Sequence, residues 1–310
     1  MPTVTFGNRS CELAQGETVL DGLLRHDIPA VHACKTGSCG SCMLRAVSGQ
    51  VPEVSQIGLK DAWRARGYFL PCVCRPTEDI EIGETAGDIR VAARIASLVP
   101  LSGNVLQVRL VLDGPFEFRA GQYLTLIAGD TLARSYSIAS IPSDGPLELH
   151  VRRMPNGQMS TWLFDDAHEG DAVRIQGPSG ECFYVPGRPD QPLLLVGTGT
   201  GLAPLYGIVR DALACGHRGP IHLFHGALRP EGLYLVDELN ALAAAHSNFT
   251  YTPTTDPIER AVAGSIPKLD GYRAFVCGDP AVVQLLKRKI FLAGAAMREI
   301  HADAFLPSAA

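Results

Sequence analysis

Residues 34–42 read CKTGSCGSC, three thiols and two glycines in nine residues. Cys34, Cys39 and Cys42 stand at C-x4-C-x2-C spacing. Gly37 and Gly40 let the chain between them turn sharply and bring its backbone close to whatever the sulfurs hold. A fourth thiol has to come from elsewhere. Cys11, Cys34, Cys39, Cys42, Cys72 and Cys74 lie in the first quarter of the chain, and only Cys182, Cys215 and Cys277 lie beyond it. The cysteines therefore mark out a module of their own, residues 1–88.

Outside that module the composition is that of an ordinary globular protein. The chain has 310 residues, 46% hydrophobic and 19% charged, with a net charge of −5. That length accommodates two or three domains. The charge is too mild and too mixed to point to nucleic acid. No apolar run reaches bilayer length, and MPTVTFGNRS lacks the basic-then-apolar start of a secretory signal. No membrane association is expected. The expected location is cytoplasmic, where cysteines serve as metal ligands or free thiols rather than disulfides.

Three kinds of pattern follow one another. The first module opens with the alternating strand TVTFG. A helix, TVLDGLLRHD, follows, with Thr18, Glu17 and Asp21 placed to start it. GETAGDIR reads as a linker. Residues 89–187 hold short, β-branched runs broken by Gly, Pro and Asp: VAARIASLVP, VLQVRLVL, QYLTLIA, RSYSIAS, LELHVRR and DAVRIQGPSG. They predict an antiparallel barrel or sandwich, with QMSTWLFDDA as its helix. In residues 188–310, PLLLV, IHLFHG, FTYTPTT, AFVCGDP and EIHADAF alternate with helical stretches such as APLYGIVRDALACG and AVVQLLKRKIFLAGA. That alternation predicts a parallel sheet covered by helices. The fold class is multidomain, α+β and α/β.

C-x4-C-x2-C is the spacing of a plant-type [2Fe–2S] ferredoxin. Each iron needs two protein ligands, so the fourth thiolate comes from FLPCVCRPTEDI, as Cys72 or Cys74; spacing alone does not choose. A structural zinc site ordinarily uses paired C-x2-C units, and only one is present. The segment resembles plant-type ferredoxins, whose last ligand follows a Leu-x pair and precedes Pro-x-x-Asp. That resemblance implies a β-grasp-like domain with Cys34, Cys39, Cys42 and Cys72 as ligands. Cys74 is then a reserve thiol and Cys11 a packing residue. Phe69 and Arg45, close to the ligands in sequence, are the residues considered for a docking surface; for Arg45 a solvated loop is the preferred reading.

RSYS, residues 134–137, follows GQYLTL on an expected strand. Arg134 and Tyr136 then share one face, Ser135 and Ser137 the other. An Arg beside an aromatic ring suits a phosphate and a planar ring system together, although four ordinary strand residues look the same. NGQMST at a helix start offers N–H groups to an anion. In order, GQYLTL, RSYS, HVRR and GQMST resemble the flavin domain of the ferredoxin–NADP reductase superfamily. The resemblance implies FAD. It implies that Arg134 meets the flavin phosphates, Tyr136 packs on the isoalloxazine, and Ser137 approaches the reactive edge with Ser135 beside it. It further implies that His150, Val151 and Arg152 form a flavin-contacting strand, and that Gly157, Gln158, Met159 and Ser160 form the pyrophosphate turn.

PLLLVGTGTGLAPLYGIV is a strand, a glycine-rich turn and a helix. Gly197, Thr198, Gly199, Thr200 and Gly201 form the turn, and Pro204 suits the first helical turn. The turn is not G-x-G-x-x-G. The following strand, IHLFHG, ends in His225 and Gly226 where a dinucleotide fold would carry an acid for the ribose, so the ordinary dehydrogenase reading fails. The same reductase superfamily fits better, through its GTGTG loop and its late C-G-x-P motif. That implies nucleotide contacts from Cys277, Gly278 and Asp279, with Cys277 beside the nicotinamide and catalytic together with Ser137. The plain alternative for Cys277 is a small buried side chain. Arg229 is placed to meet a 2′-phosphate or to lie on the surface. NADH is the expected donor, with NADPH possible. Phe305 corresponds to an aromatic that relatives place near the flavin ring, and Leu306 stands where several carry Tyr.

Taken in order, the modules resemble the reductase components of multicomponent aromatic-ring oxygenases of the naphthalene dioxygenase type. The resemblance implies that a hydride passes from NAD(P)H to FAD and that single electrons leave through the [2Fe–2S] cluster. The acceptor is then a ferredoxin or the oxygenase component. The alternative is direct delivery to a monooxygenase.

Overall fold

The computed structural model describes residues 1–83 and 89–305. Most of the expected linker GETAGDIR, the boundary at residue 88, and Leu306 lie outside the described residues.

The first sheet is built from β1 (Thr3–Phe6), β2 (Arg9–Glu12), β3 (Leu44–Ser48), β4 (Tyr68–Phe69) and β5 (Ile80–Gly83) in the order β2-β1-β5-β3-β4. β1 and β5 pair in parallel and the other pairs are antiparallel. Helix α1 (Val19–Arg25) buries Val19, Leu20 and Leu23 in the same core. Its start is fixed by reciprocal bonds: Thr18 Oγ1 accepts from the Asp21 N–H at 3.1 Å and donates to the Asp21 carboxylate at 2.6 Å. Such caps are worth about 1 kcal/mol. A short helix, α2 (Asp61–Arg64), precedes β4. Phe69 is fully buried, so it is a core residue and offers nothing to a docking partner. On β4, next to β3, its ring turns into the core.

The second sheet contains β6 (Arg90–Ser102), β7 (Val105–Leu112), β8 (Tyr123–Ala128), β9 (Leu132–Ser137), β10 (Leu147–Arg152) and β11 (Ala172–Ser179), with α3 (Gln158–Asp165) between the last two. The strand order is β10-β7-β6-β11-β8-β9, antiparallel throughout. A bridge between Ile138 and Leu149 joins the β9 and β10 ends and closes the barrel.

The third sheet is parallel: β12 (Leu193–Thr198), β13 (Ile221–Gly226), β14 (Phe249–Thr254), β15 (Arg273–Gly278) and β16 (Ile300–Ala304), ordered β14-β13-β12-β15-β16. Helices α4 (Leu202–Ala214), α5 (Val236–Ala245), α6 (Ile258–Ser265) and α7 (Pro280–Leu292) cover it. Leu193 and Leu195 enter the core on one face, Leu194 and Val196 the core on the other, as expected of a strand buried on both sides. The strand order reverses between β12 and β15, and a parallel sheet binds its ligand at the carboxyl ends of the strands flanking such a reversal. Those ends are Thr198 and Gly278.

Candidate functional site

The 34–42 loop turns through left-handed backbone at Lys35, Gly37 and Gly40, with φ of 55°, 80° and 72°. For Lys35 this costs about 1–2 kcal/mol. The turns aim N–H groups inward: Thr36 and Cys39 donate to Cys34 Sγ at 3.3 and 3.4 Å. The four expected ligands fall into two pairs. Cys39 donates to Cys34 and holds it below the ordinary thiol range, aided by Thr36. Cys42 does the same for Cys72, which also receives the Gly37 N–H. Among the described residues no three His, Cys, Asp or Glu side chains gather closely enough to hold one metal ion. Two neighbouring thiol pairs suit two irons with two thiolates each. Cys74 is fully buried, and burial pushes its thiol up to about 11, against a hydrogen bond with Ser55. The residues present therefore fit a [2Fe–2S] centre.

This loop is seated on the barrel. Val31 packs with Ile127 and Ala133, and His32 forms a bridge with Leu132. The Tyr123 hydroxyl donates to the Ser38 carbonyl at 3.1 Å, and Gln176 Nε2 donates to the Gly40 carbonyl at 2.7 Å.

From Cys34 and Cys39 a single cleft of about 2050 Å³ runs past Arg134–Ser137 and the α3 start to Thr198–Thr200, Gly278 and Phe305. One small-molecule pocket occupies roughly 300–1,000 Å³, so the cleft has room for two ligands end to end. Arg134 makes one hydrogen bond among the described residues, to the Ala133 carbonyl at 2.7 Å. On β10 the faces separate: His150 and Arg152 line the cleft, while Val151 turns into the barrel core. Gly157, Gln158, Met159 and Ser160 all line it at the start of α3. A Cβ on Gly157 would come within 2.6 Å of Ser160 Oγ, so the turn requires glycine. The first N–H groups of α3 lie beside the cleft, where they suit a pyrophosphate.

His150 belongs to a buried chain that the sequence did not disclose. Its Nε2 lies 2.8 Å from Glu148 Oε1 and its Nδ1 lies 3.1 Å from the Tyr234 hydroxyl, which reaches across from the parallel-sheet domain. Burial opposes charge on Glu148, but His150 together with Gln107 and Arg109 outweighs it and holds the carboxyl below its ordinary range.

At the glycine turn, Thr198, Gly199 and Thr200 line the cleft; Gly197 and Gly201 lie behind it. A Cβ on Gly201 would meet the Cys277 carbonyl oxygen at 2.2 Å, so this glycine lets β15 pass close to the turn. The Cys277 side chain lies in the core behind the turn, its sulfur 3.5 Å from Cys182 Sγ. Gly278 and Asp279 line the cleft, and the Asp279 carboxylate caps α7 by accepting from Ala281 and Val282. His225 is fully buried, bonded to the Tyr251 hydroxyl at 3.2 Å, and burial pushes its imidazole down to about 4. A further residue emerges from ADAF. Asp303 faces the cleft and accepts from Ser137 Oγ at 3.4 Å.

A thiol-pair loop, a closed barrel and a parallel sheet sharing one cleft define a flavin- and iron–sulfur-dependent reductase. Family models agree along the chain: the 2Fe-2S iron-sulfur cluster binding domain matches residues 4–77, the oxidoreductase FAD-binding domain 92–184, and the oxidoreductase NAD-binding domain 195–288. The ferredoxin–NAD(P)+ reductase component of the naphthalene 1,2-dioxygenase/salicylate 5-hydroxylase systems of Ralstonia sp. is 35% identical over 94% of each chain. The reductase subunit of an aromatic O-demethylase from Amycolatopsis is 34% identical over 98% of each. The solved structure of the Amycolatopsis reductase GcoB superposes with a TM-score of 0.70, at 32% identity over 99% of each chain. The chain belongs to the ferredoxin–NAD(P)+ reductase components of multicomponent oxygenases, a branch of the ferredoxin–NADP reductase superfamily. It is an oxidoreductase of FAD, NAD(P)H and a [2Fe–2S] cluster, and it carries electrons from NAD(P)H to a protein partner. Among the described residues no helix is long and apolar enough to cross a membrane.

Proposed function

We propose that the protein takes electrons from NADH and delivers them singly, through the cluster held by Cys34, Cys39, Cys42 and Cys72, to a ferredoxin of an aromatic-ring-hydroxylating system. The observation that carries this reading is the continuity of the cleft from Cys34 and Cys39 to Gly278. FAD, when bound, takes an electron pair and gives it up one electron at a time. The chain's own residues bind and orient. Arg134, Arg152 and the α3 N–H groups would meet phosphate, and Tyr136 and Phe305 would pack against the flavin ring. Ser137 holds a hydrogen bond at the reactive edge, its hydroxyl fixed by Asp303. Thr198, Gly199 and Thr200 cradle the nicotinamide dinucleotide, with Cys277 packing behind Gly201. We divide the chain into 1–88, 89–187 and 188–310.

NADH is favoured because Arg229 shares its end of the cleft with Glu231, Asp256 and Glu259, which repel a 2′-phosphate. The five cysteines outside the ligand set, Cys11, Cys74, Cys182, Cys215 and Cys277, form no disulfide, which supports a reducing, cytoplasmic setting. The 30% identity to the electron transfer component of a xylene/toluene monooxygenase from Pseudomonas putida supports a second reading, direct delivery to a monooxygenase. Reconstitution separates the two. Turnover that requires an added ferredoxin supports the first, and full turnover with the oxygenase alone supports the second.

A further inference from the structure

We propose that Tyr123 and Gln176, two side chains of the flavin barrel, tune the iron–sulfur centre by holding two peptide units of its loop from behind. This rests on the [2Fe–2S] reading above.

In a trans peptide the C=O and N–H point in opposite directions. A donor that fixes the carbonyl therefore also aims the N–H. Tyr123 on β8 donates to the Ser38 carbonyl at 3.1 Å. The N–H of that same peptide unit belongs to Cys39, and it donates to Cys34 Sγ at 3.4 Å. Gln176 on β11 donates to the Gly40 carbonyl at 2.7 Å, a carbonyl that also accepts from the Met43 N–H at 3.1 Å. The N–H of that unit belongs to Ser41 and is directed at Cys39 Sγ. Two barrel side chains thus each grip one peptide whose other end faces a ligand sulfur.

Both grips are themselves fixed. Tyr123 pairs across the sheet with Ser179, which hydrogen bonds to its oxygen, and its ring packs on Gly180. Gln176 is buried, and its carbonyl accepts from Arg90 Nε at 3.1 Å, so its amide group presents N–H to the loop. Tyr123 also stands opposite Ser137 in the β8–β9 pairing, which ties the grip to the strand carrying the flavin-edge residue.

N–H groups aimed at ligand sulfurs stabilise the more negative, reduced centre and so raise its potential. Losing the Tyr123 donor frees the Ser38 carbonyl, lets its peptide rotate and lowers the potential; losing Gln176 loosens the Gly40 peptide less, because the Met43 N–H still holds that carbonyl. Tyr123 and Gln176 are positioning residues, and they make the centre easier to reduce when its domain is seated on the barrel.

The test is an EPR-monitored redox titration of the purified holoenzyme and of Tyr123→Phe, Gln176→Leu and Val31→Ala. Val31 belongs to the same interface but touches neither carbonyl. Tyr123→Phe keeps the ring and removes only the donor, so it folds even if Gln176→Leu does not. The expected result is a cluster midpoint about 40 mV lower in Tyr123→Phe and lowered by less in Gln176→Leu, with Val31→Ala and all flavin midpoints unchanged. At 59 mV per tenfold that shift is about a fivefold change in the reduction equilibrium, the effect of one net hydrogen bond. An unmoved midpoint in Tyr123→Phe, or an equal fall in Val31→Ala, overturns the inference while leaving the cluster reading intact. A parent protein with no reduced-cluster signal overturns the cluster reading and this inference with it.

Discussion

The Ser137 hydroxyl donates to the Asp303 carboxylate over 3.4 Å, joining the last residue of β9 in the barrel to β16 of the parallel sheet. The bond spans the seam between the domains at the point where the cleft changes walls. Burial pushes the Asp303 carboxyl up to about 6, with the Ser137 bond opposing it.

That shift has a pH signature. Between its unfolded value near 3.8 and about 6, the folded chain keeps a proton on Asp303 that the unfolded chain has lost. The stabilisation is complete below about pH 4 and is lost as pH rises through 6. A shift of about 2 units corresponds to about 3 kcal/mol. Asp303→Asn therefore gains thermal stability relative to the parent as pH rises from 4 to 6, with a constant gap above about 7. Melting curves across that range check this, and a gap independent of pH contradicts it.

Cys72 pairs with Cys42, whereas Cys74 faces Ser55 in the core. Cys72→Ser is expected to lose iron and the visible cluster bands. Cys74→Ser is expected to retain both. Iron analysis of the two purified variants decides, and the reverse pattern makes Cys74 the ligand.

Arg134 spends one hydrogen bond on its own strand and lines the cleft. Replacing it with Ala removes charge-assisted bonds to the flavin phosphates, worth about 1.5–3 kcal/mol. FAD affinity should fall roughly tenfold to a hundredfold while iron content holds. Equal loss of both cofactors would mean that the variant is misfolded rather than deprived of a phosphate contact.

The parent enzyme is expected to prefer NADH. Arg229 lines the cleft with Glu231, Asp256 and Glu259, at the end where the proposed function places the adenosine. Arg229→Ala should lower kcat/KM for NADPH about tenfold and leave NADH nearly unchanged, since one charge-assisted phosphate contact is worth about 1.4 kcal/mol. An equal fall with both donors removes Arg229 from any role in reading the 2′-phosphate.

What could be read from the chain was local. β-Branched runs between turn residues gave the six barrel strands, and the alternation after residue 188 gave the parallel sheet, although β2, β3, α2, β4 and α6 passed unnoticed. The thiol spacing identified the loop, and the RSYS and GTGTG stretches both line the cleft. What escaped was set by contacts distant in sequence. Asp303 acquires meaning only when β16 lies across from Ser137, 166 residues away. Gln176 reaches a loop 136 residues earlier, and Glu148 and Tyr234 meet only through His150. Cys277 occupies the expected strand end, but its sulfur points to Cys182, a direction fixed by packing that no motif encodes.

The central claim is a relay from reduced nicotinamide through flavin to iron, and anaerobic titration of the cofactor-replete protein with NADH, followed in the visible spectrum, tests it most directly. The account predicts that the flavin band bleaches and that the cluster bands bleach with it. A protein carrying both cofactors in which NADH bleaches neither contradicts it.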